Sequence, residues 1–204
     1  MGLYDKYVIP RVIELVCGLK PTMRQREKII HRAKGLVLEI GIGSGLNLPF
    51  YDTNEVSHLI GIDPFPHQKK LDERLDASPI SSEFICTTAT KLPMEDNSVD
   101  TVISTYTFCS IDRLQSALIE CRRVLKPNGS LLFIEHGIAP DEKIRRVQNR
   151  INPIWRKISG GCNLNRDIPY TLSSNGFILS DIETMYLPGW KPATWNWWGQ
   201  ATIR

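Results

Sequence analysis

Short apolar runs separated by amphipathic or polar stretches recur along the chain. Seven of them have the length and the flanking turn residues of strands: 36–40, 57–62, 83–86, 99–104, 130–135, 177–185 and 194–203. The segments between them carry helical periodicity or turn residues. Strands that alternate with helices predict an α/β fold, with a doubly wound, mostly parallel sheet of seven strands and helices on both of its faces.

The first 34 residues lack this pattern and predict helices. Residues 2–19 place five apolar side chains roughly on one face, as in an amphipathic helix: Val8, Val12, Leu15, Val16 and Leu19. Residues 22–34 predict a second, strongly basic helix with cations at Arg24, Arg26, Lys28, Arg32 and Lys34. Such a run indicates either a solvated helix face, which we favour, or contact with an acidic membrane surface.

The turn after the first strand is rich in glycine. Residues 36–47 read LVLEIGIGSGLN, with Gly41, Gly43 and Gly45 at every second position after an apolar run. Glycine lets the backbone approach a ligand closely because no Cβ stands in the way. We expect a short helix to begin near Leu46, so that backbone N–H groups point at that ligand. Glu39 ends the strand, and an acid there suits a ligand with hydroxyl or ammonium groups better than a phosphate.

A second acid, Asp63, follows the second strand, eighteen residues after Gly45. In nucleotide-binding α/β units, an acid about 20 residues past the glycines hydrogen-bonds the ribose hydroxyls. The alternative is that Asp63 caps a helix over residues 67–75, and Pro64 is compatible with either role. The spacing and the position at a strand end favour ribose binding.

Composition excludes several classes of protein. The 204 residues are 42% hydrophobic and 23% charged, as in ordinary globular domains, and the net charge of +3 is too small to indicate a nucleic-acid partner. No apolar run reaches the 18 residues of a membrane-spanning helix, and no signal peptide is evident. The cysteines are scattered without a CxxC pair: Cys17, Cys86, Cys109, Cys121 and Cys162. We therefore expect a cytoplasmic protein with reduced thiols, without a zinc site or a disulfide framework.

The glycine turn and two later motifs together resemble one enzyme family. Residues 39–45 resemble the E/DxGxGxG signature of class I S-adenosylmethionine-dependent methyltransferases, whereas Leu46 stands where a dinucleotide-binding GxGxxG motif needs glycine. Residues 92–100 (LPMEDNSVD) resemble the LPF…DNSFD stretch of the methyltransferase type 11 domain, and residues 123–129 (RVLKPNG) its RVLKPGG stretch. The resemblance covers residues 36–135 and implies a Rossmann-like sheet.

A narrower resemblance extends over nearly the whole chain. The similarity is to the small-molecule thiol methyltransferases of the microsomal methyltransferase-like group and their bacterial relatives, and it rests on VDTVISTYTFCSI (99–111), Glu135–His136, Trp155 and GCNLNR (161–166). It implies one domain over residues 1–204. That domain would consist of an N-terminal helical cap (1–34), a cofactor-binding core (36–136), and acceptor-side helices with the final strands (137–204).

The family resemblance implies S-adenosylmethionine as the cofactor, with Asp63 on its ribose and the ends of the first and fourth strands around its methionine moiety. The predicted cofactor-binding residues are Glu39, Gly41, Gly43, Gly45, Asn47, Asp63, Pro64, Thr88, Ala89, Ser104, Thr105 and Cys109. Thr88 stands where the family usually has an acid that contacts the adenine amino group, and threonine brings no charge. We expect Cys109 to pack the pocket rather than to react.

His136, at the carboxyl end of the fifth strand, is the predicted catalytic residue. Methyl transfer to a thiol or an alcohol is helped by a base that deprotonates the acceptor, and histidine titrates near neutral pH. A structural, loop-anchoring role fits the same position equally well. The reaction requires no metal ion, and we predict none.

The expected reaction is methyl transfer from S-adenosylmethionine to a small, apolar acceptor such as a thiol, without a nucleic-acid partner. A phospholipid-headgroup N-methyltransferase at the membrane surface is one alternative, because the N-terminal region is basic. A non-catalytic S-adenosylmethionine-binding protein is another, because Thr88 replaces the usual acid. The microsomal relatives carry an apolar membrane anchor and this chain begins with an amphipathic segment, so we expect at most peripheral membrane contact through the basic helices.

Overall fold

The computed structural model describes residues 9–203, so the start of the predicted N-terminal helix, including Val8, lies outside the described residues. The described chain contains the strands β1 (Gly35–Ile40), β2 (Val56–Ile62), β3 (Ser82–Ile85), β4 (Val99–Thr105), β5 (Leu125–His136), β6 (Phe177–Tyr186) and β7 (Trp195–Ile203). Its α-helices are α1 (Ile9–Cys17), α2 (Lys20–Ile29), α3 (Gln68–Asp76), α4 (Leu114–Val124), α5 (Glu142–Ile158) and α6 (Ile168–Ser174). All seven predicted strands are therefore present.

The seven strands form one sheet in the order β3-β2-β1-β4-β5-β7-β6. The strands β1 to β5 pair in parallel, whereas β7 runs antiparallel to both β5 and β6. This topology confirms the predicted doubly wound, mostly parallel sheet. The order reverses between β1 and β4, and ligands of such sheets bind at the carboxyl ends of the strands beside this switch point. The sheet therefore directs attention to the chain that follows Ile40 and Thr105.

Both faces of the sheet are covered, which buries the central strands on both sides. Val37 and Ile103 belong to a cluster that also contains Ile29 of α2. Leu38 belongs to the opposite cluster, together with Leu118 of α4. Near-continuous apolar strands are what a sheet covered on both faces requires. The helix α2 is thus part of the core cover and is held firmly beside the end of β1.

Two sequence-based expectations about helices are wrong. The glycine turn leads into a short 3-10 turn at Leu48–Phe50 and not into a helix that begins near Leu46. The chain turns inward there because the Tyr51 hydroxyl donates to Glu39 Oε2, with an O···O distance of 2.6 Å. The second N-terminal α-helix ends at Ile29 and not near residue 34; a 3-10 turn over Ile30–Arg32 follows it, and Ala33 is extended on the way into β1.

The apolar side chains of α1 are not packed into the core. Leu15 is 69% exposed, and Val12, Val16 and Leu19 are each about half exposed. These residues form an unpartnered hydrophobic face among the residues whose side chains the structure describes. Within residues 9–203, no helix combines the length and the apolar character that crossing a membrane requires.

Candidate active site

A cavity of about 800 Å³ opens at the carboxyl edge of the sheet, beside the ends of β1, β2 and β4. This volume is in the range of small-molecule sites. Eight of the predicted cofactor-binding residues line it: Glu39, Gly41, Gly43, Asp63, Pro64, Thr88, Ala89 and Thr105. The other predicted site residues do not line it: Gly45, Asn47, Ser104, Cys109 and His136. The first group therefore lies at the cavity and the second group does not, and the roles predicted for both stay predictions.

The three glycines of the turn have different roles. All three have a left-handed backbone, with φ values of +72° at Gly41, +57° at Gly43 and +77° at Gly45. A Cβ at Gly41 would collide with the Thr107 side chain, whereas a Cβ at Gly43 would point into open space. A Cβ at Gly45 would meet Leu48 at 2.7 Å, so this glycine serves packing. Gly43 therefore provides the bare backbone at which a ligand can approach closely.

Asp63 connects the end of β2 to the glycine turn. Its Oδ2 accepts from the backbone N–H of Gly43 at 3.1 Å, and its Oδ1 accepts from the N–H of Phe65 at 2.7 Å. Burial raises the pKa of this carboxyl, although both hydrogen bonds act in the opposite direction. The N-cap position of α3 belongs to His67, so Asp63 is not the helix cap that the sequence also allowed. Its remaining lone pairs face the cavity and can accept from a diol.

The third strand ends at a neutral polar patch of the cavity wall. Thr88 and Ala89 both line the cavity, and the Thr88 hydroxyl lies 2.9 Å from that of Thr90. Pro64 lines the cavity from the adjacent strand end. The flat, uncharged surface suits a heteroaromatic ring, and the threonine oxygens can accept from an amino group.

Glu39 forms the buried floor of the cavity and is 1% exposed. Its Oε2 accepts from the Tyr51 hydroxyl at 2.6 Å and its Oε1 from Asn47 Nδ2 at 2.9 Å. Burial raises the pKa of Glu39 to about 7, although the bond from Tyr51 and the charge of Arg26 lower it. Asn47 thus acts behind the wall by orienting Glu39. A cationic group in the cavity would favour the ionised carboxylate.

Arg26 of α2 is the main site residue that the sequence did not identify. It lines the cavity but is only 4% exposed, and its guanidinium donates to Asn47 Oδ1 and Thr105 Oγ1, both at 2.7 Å. Its Nε is buried without a hydrogen-bond partner, and its Cζ lies 5.5 Å from the centre of the Tyr106 ring. No carboxylate of residues 9–203 forms an ion pair with it. A buried cation without a counter-ion is costly, which points to an anionic ligand group.

A signal for Arg26 was present in the sequence. It lies three and four residues before Ile29 and Ile30, which are both fully buried, and such spacings share one face of a helix. The solvated-face interpretation of residues 22–34 is therefore wrong for Arg26, whereas Arg24 and Lys28 are exposed as expected.

Glu135, at the end of β5, fixes the loop that follows β4. Its carboxylate accepts from the backbone N–H groups of Thr107 (2.9 Å), Phe108 (2.9 Å) and Cys109 (3.2 Å), and from the Ser104 hydroxyl (2.8 Å). Ser104 therefore supports the loop from behind, whereas Thr105 faces the cavity. The loop begins with Tyr106 at φ +55°, a left-handed conformation that is uncommon for a bulky residue and often marks functional sites. No pattern in the sequence indicated this anchoring role.

His136 and Cys109 meet Cys162 behind the cavity wall. His136 Nε2 lies 2.9 Å from Cys162 Sγ, and Trp155 Nε1 donates to the same sulfur at 3.3 Å. Hydrogen bonds from Cys109, His136 and Trp155 outweigh burial and lower the pKa of Cys162 to about 4. The pKa of His136 is raised, because the negative Cys162 sulfur outweighs burial. The role of His136 as a general base stays a prediction.

The helix α1 is attached above the glycine turn by one carboxylate. Glu14 Oε1 pairs with Lys70 and Arg74 of α3, each at 3.0 Å, and its Oε2 accepts from the Ser44 hydroxyl. Burial would raise the pKa of Glu14, but these three partners lower it to about 2. Ile13 and Cys17 of the same helix line the cavity. α1 therefore covers part of the site.

The described residues fit S-adenosylmethionine. The orphaned Nε of Arg26 offers a donor for its carboxylate, Glu39 an acceptor for its ammonium, and Asp63 acceptors for its ribose hydroxyls. Gly43 lines the same cavity and its backbone N–H donates to Asp63. Opposite charges at one end of the cavity and neutral groups at the other match a ligand with a zwitterionic end and a base.

Comparison with known proteins agrees with this fit. The family model described as a methyltransferase domain matches residues 38–133. The thiol S-methyltransferase TMT1B of Rattus norvegicus is 28% identical over 166 residues, which cover 79% of this chain and 65% of that protein. The human TMT1B is 27% identical over 191 residues, 87% of this chain and 78% of that protein. The match to the rat protein thus spans slightly less than two thirds of its length.

A solved S-adenosylmethionine-dependent methyltransferase from Thermotoga maritima has the same fold. It superposes with a TM-score of 0.66 at 18% identity, over 98% of this chain and 98% of that chain. The motifs, the sheet topology and the family match thus agree, and they confirm the cofactor expected from the sequence. Residues 38–133 thus match a methyltransferase domain, and the chain is similar over most of its length to proteins named thiol S-methyltransferases.

Proposed function

We propose that this methyltransferase methylates a small, apolar thiol. The observation that carries the proposal is the composition of the cavity beyond the groups that fit the cofactor. There the wall is formed by Ile13, Cys17, Tyr106 and Ile111, while three cations also line the cavity: Arg113, Lys157 and Arg156, of which Arg156 pairs with Asp112 at 3.0 Å. Apolar walls suit an apolar acceptor, and nearby cations favour the thiolate form of a thiol. The similarity to proteins named thiol S-methyltransferases supports the same acceptor.

The chain's residues bind, orient and exclude water in this reaction. Arg26 and Glu39 would hold the carboxylate and the ammonium of the methionine moiety, and Asp63 the ribose. S-adenosylmethionine supplies an electrophilic methyl group on a sulfonium. Tyr106 and α1 close the cavity on the acceptor side, so the acceptor is held in one orientation, which is the main requirement for such a transfer.

The acceptor thiol must lose its proton. His136 is the predicted base, but its Nε2 contacts Cys162 and does not open into the cavity. The Cys162 sulfur does not line the cavity either, and with a pKa lowered to about 4 it is too weak a base for an ordinary thiol, so we propose that the acceptor releases its proton to solvent at the cavity mouth. The cations that line the cavity stabilise the thiolate that remains on the acceptor.

The test is a methyl-transfer screen with the full chain against apolar thiols, phenols, amines and phospholipid vesicles. We expect methylated thiol as the main product and turnover that rises with the apolar surface of the thiol. Methylated phospholipid amine as the main product would overturn the thiol proposal in favour of the lipid enzyme. Binding of S-adenosylhomocysteine without transfer to any acceptor would instead favour the non-catalytic alternative.

We also propose that the mouth of the cavity rests on a membrane surface from which apolar acceptors enter. Exposed apolar residues of α1 and of α5 flank the mouth, with Leu15 at 69% and Ile154 at 67% exposure, while α2 carries the exposed cations Lys20 and Arg24. An apolar face beside cations is the pattern of helices that lie in an acidic bilayer surface.

Vesicle flotation measures this contact. We expect binding to vesicles containing anionic phosphatidylserine, weaker binding to purely zwitterionic vesicles, and loss of binding in Leu15→Glu. Ile119→Glu, at an exposed position of α4, is the matched control and keeps wild-type binding. Equal flotation of the wild type and Leu15→Glu would refute the proposed surface.

A further inference from the structure

Three groups that are far apart in the sequence converge behind the cavity wall. Cys109 follows β4, His136 ends β5, and Cys162 lies between α5 and α6. Their two sulfurs and one ring nitrogen all lie within 4.8 Å of one another. The sequence predicted scattered, unpaired thiols. The fold brings two of them together, because the segments that carry Cys109, His136 and Cys162 meet at one edge of the sheet.

The contacts of Cys162 are those of a thiolate held by donors. Its sulfur lies 2.9 Å from His136 Nε2 and 3.3 Å from the Trp155 Nε1–H donor. Tetrahedral zinc, with bonds of about 2.3 Å to sulfur and 2.0 Å to nitrogen, would hold these two atoms roughly 3.5 Å apart. The 2.9 Å contact is therefore a hydrogen bond between the two groups and not the spacing of two ligands of one metal.

The two cysteine loops are already joined by their backbones. The N–H and the Nδ2 of Asn163 both donate to the carbonyl oxygen of Cys109, at 3.0 and 2.9 Å. Arg166 donates to the carbonyl of Ile111 at 2.9 Å and to that of Phe108. These bonds hold the backbone of Cys109 beside that of Cys162. Rotation about χ1 moves each sulfur and leaves the Cα and Cβ atoms in place, so it can bring the two sulfurs, which already lie within 4.8 Å of each other, closer together.

We propose that Cys109 and Cys162 form an oxidisable dithiol that is converted to a disulfide by low-molecular-weight disulfides. The Cys162 thiolate attacks one sulfur of the disulfide RSSR, which forms a Cys162–S–SR bond and releases RS⁻. The Cys109 thiol then gives up its proton and attacks the Cys162 sulfur, which forms the Cys109–Cys162 bond and releases a second RS⁻. The released thiolate takes up the Cys109 proton, so one protein thiolate, one protein thiol and one RSSR become one protein disulfide, one small thiol and one small thiolate.

The environment distinguishes this pair from the other cysteines. The sulfur of Cys162 accepts hydrogen bonds from His136, Trp155 and Cys109, and the residue is partly exposed, so this sulfur exchanges readily. Cys86 is exposed, but its sulfur contacts only the Pro64 carbonyl, and Cys121 is buried with its pKa raised to about 12 by burial. The crosslink would join the two loops whose Ser110 and Gly161 form one wall of the cavity.

The experiment is disulfide mapping of the full chain by mass spectrometry after treatment with glutathione disulfide. We expect one major linkage, Cys109–Cys162, with loss of two free thiols and full recovery in dithiothreitol. Cys109→Ser should retain glutathione on Cys162 as a stable mixed disulfide, and Cys162→Ser should form no crosslink. Trp155→Phe, which removes one donor from the sulfur, should slow the exchange several-fold.

Three results would overturn the proposal. One is modification of Cys86 with Cys109 and Cys162 both still reduced. Another is a linkage of Cys162 to Cys17, the cavity-lining cysteine of α1. The last is stoichiometric zinc in the purified wild type that is lost in Cys162→Ser, because the cluster would then be a metal site. None of these measurements depends on the acceptor, so the proposed function can fail or succeed independently.

Discussion

Replacing Arg26 by methionine tests the assignment of the cofactor's carboxylate. Methionine has a similar length and fits among apolar neighbours, so it removes the guanidinium with little change in packing. The change deletes the bonds to Asn47 and Thr105, each worth about 1 kcal/mol. It also removes a buried cation that has no ion-pair partner within residues 9–203. These effects oppose each other, so we expect the free energy of unfolding of the ligand-free protein to change by no more than about 1 kcal/mol.

Ligand affinity should respond much more strongly. Charge-assisted hydrogen bonds contribute about 1.5–3 kcal/mol each, so losing the one to the carboxylate should weaken S-adenosylhomocysteine on the order of 10- to 100-fold. Calorimetric titration of the wild type and Arg26→Met measures the ratio. Arg24→Met, at an exposed position of the same helix, is the matched control and should keep wild-type affinity.

A second ligand separates recognition of the carboxylate from damage to the fold. Methylthioadenosine retains the base, ribose and sulfur but lacks the amino-acid end. It should bind the wild type and Arg26→Met with similar affinity, so that the loss appears only with S-adenosylhomocysteine. An equal loss for both ligands would mean that Arg26 acts through the structure of the site, and no loss for either would remove it from the site.

Two further acids allow sharp tests. Burial raises the pKa of Glu39 from 4.5 to about 7. Between pH 4.5 and 7, the folded ligand-free protein therefore binds a proton that the unfolded chain has lost. The contribution of Glu39 to the free energy of unfolding should therefore be largest below pH 4.5. It should fall by roughly 3 kcal/mol in total as the pH rises through 7. Urea unfolding between pH 5 and 8 measures this slope, which Glu39→Gln should flatten; an unchanged slope would assign the titration to another group. Glu135→Ala leaves three backbone N–H groups and the Ser104 hydroxyl without their acceptor and should destabilise the protein by about 3–5 kcal/mol. Thermal unfolding compared with Glu95→Ala, at an exposed turn, checks this, and similar melting temperatures would contradict the anchoring role.

The parts of the fold that the sequence predicted are those with local causes. Apolar runs of strand length identified the strands, and a glycine at every second position identified a turn with positive φ. Asp63 was predictable because its distance from the glycines follows from the length of one β–turn–β unit. The helix near Leu46 was wrong because a long-range contact, from Tyr51 to Glu39, determines the path of the chain there.

The residues that the sequence missed act over long distances in the chain. Arg26 contacts Thr105, Glu135 anchors residues 107–109, and Cys162 meets Cys109. Each pair is separated by more than one secondary-structure element, so no spacing rule connects its members. For Arg26, the buried isoleucines three and four residues later indicated that it lies on the buried face of the helix. The many cations nearby favoured the opposite interpretation, a solvated face.

The site carries charges that the other described residues do not neutralise. Arg26 is buried without an ion pair among the described residues, and Glu39 is buried with a raised pKa, although hydrogen bonds through Asn47 connect both groups. Such an arrangement lowers the stability of the ligand-free fold, and only a ligand with both a carboxylate and an ammonium relieves both costs. The zwitterionic end of S-adenosylmethionine has this pair of charges. The destabilising charges thereby select for the cofactor, because a neutral adenosine derivative leaves them uncompensated and a simple anion leaves Glu39 without its partner.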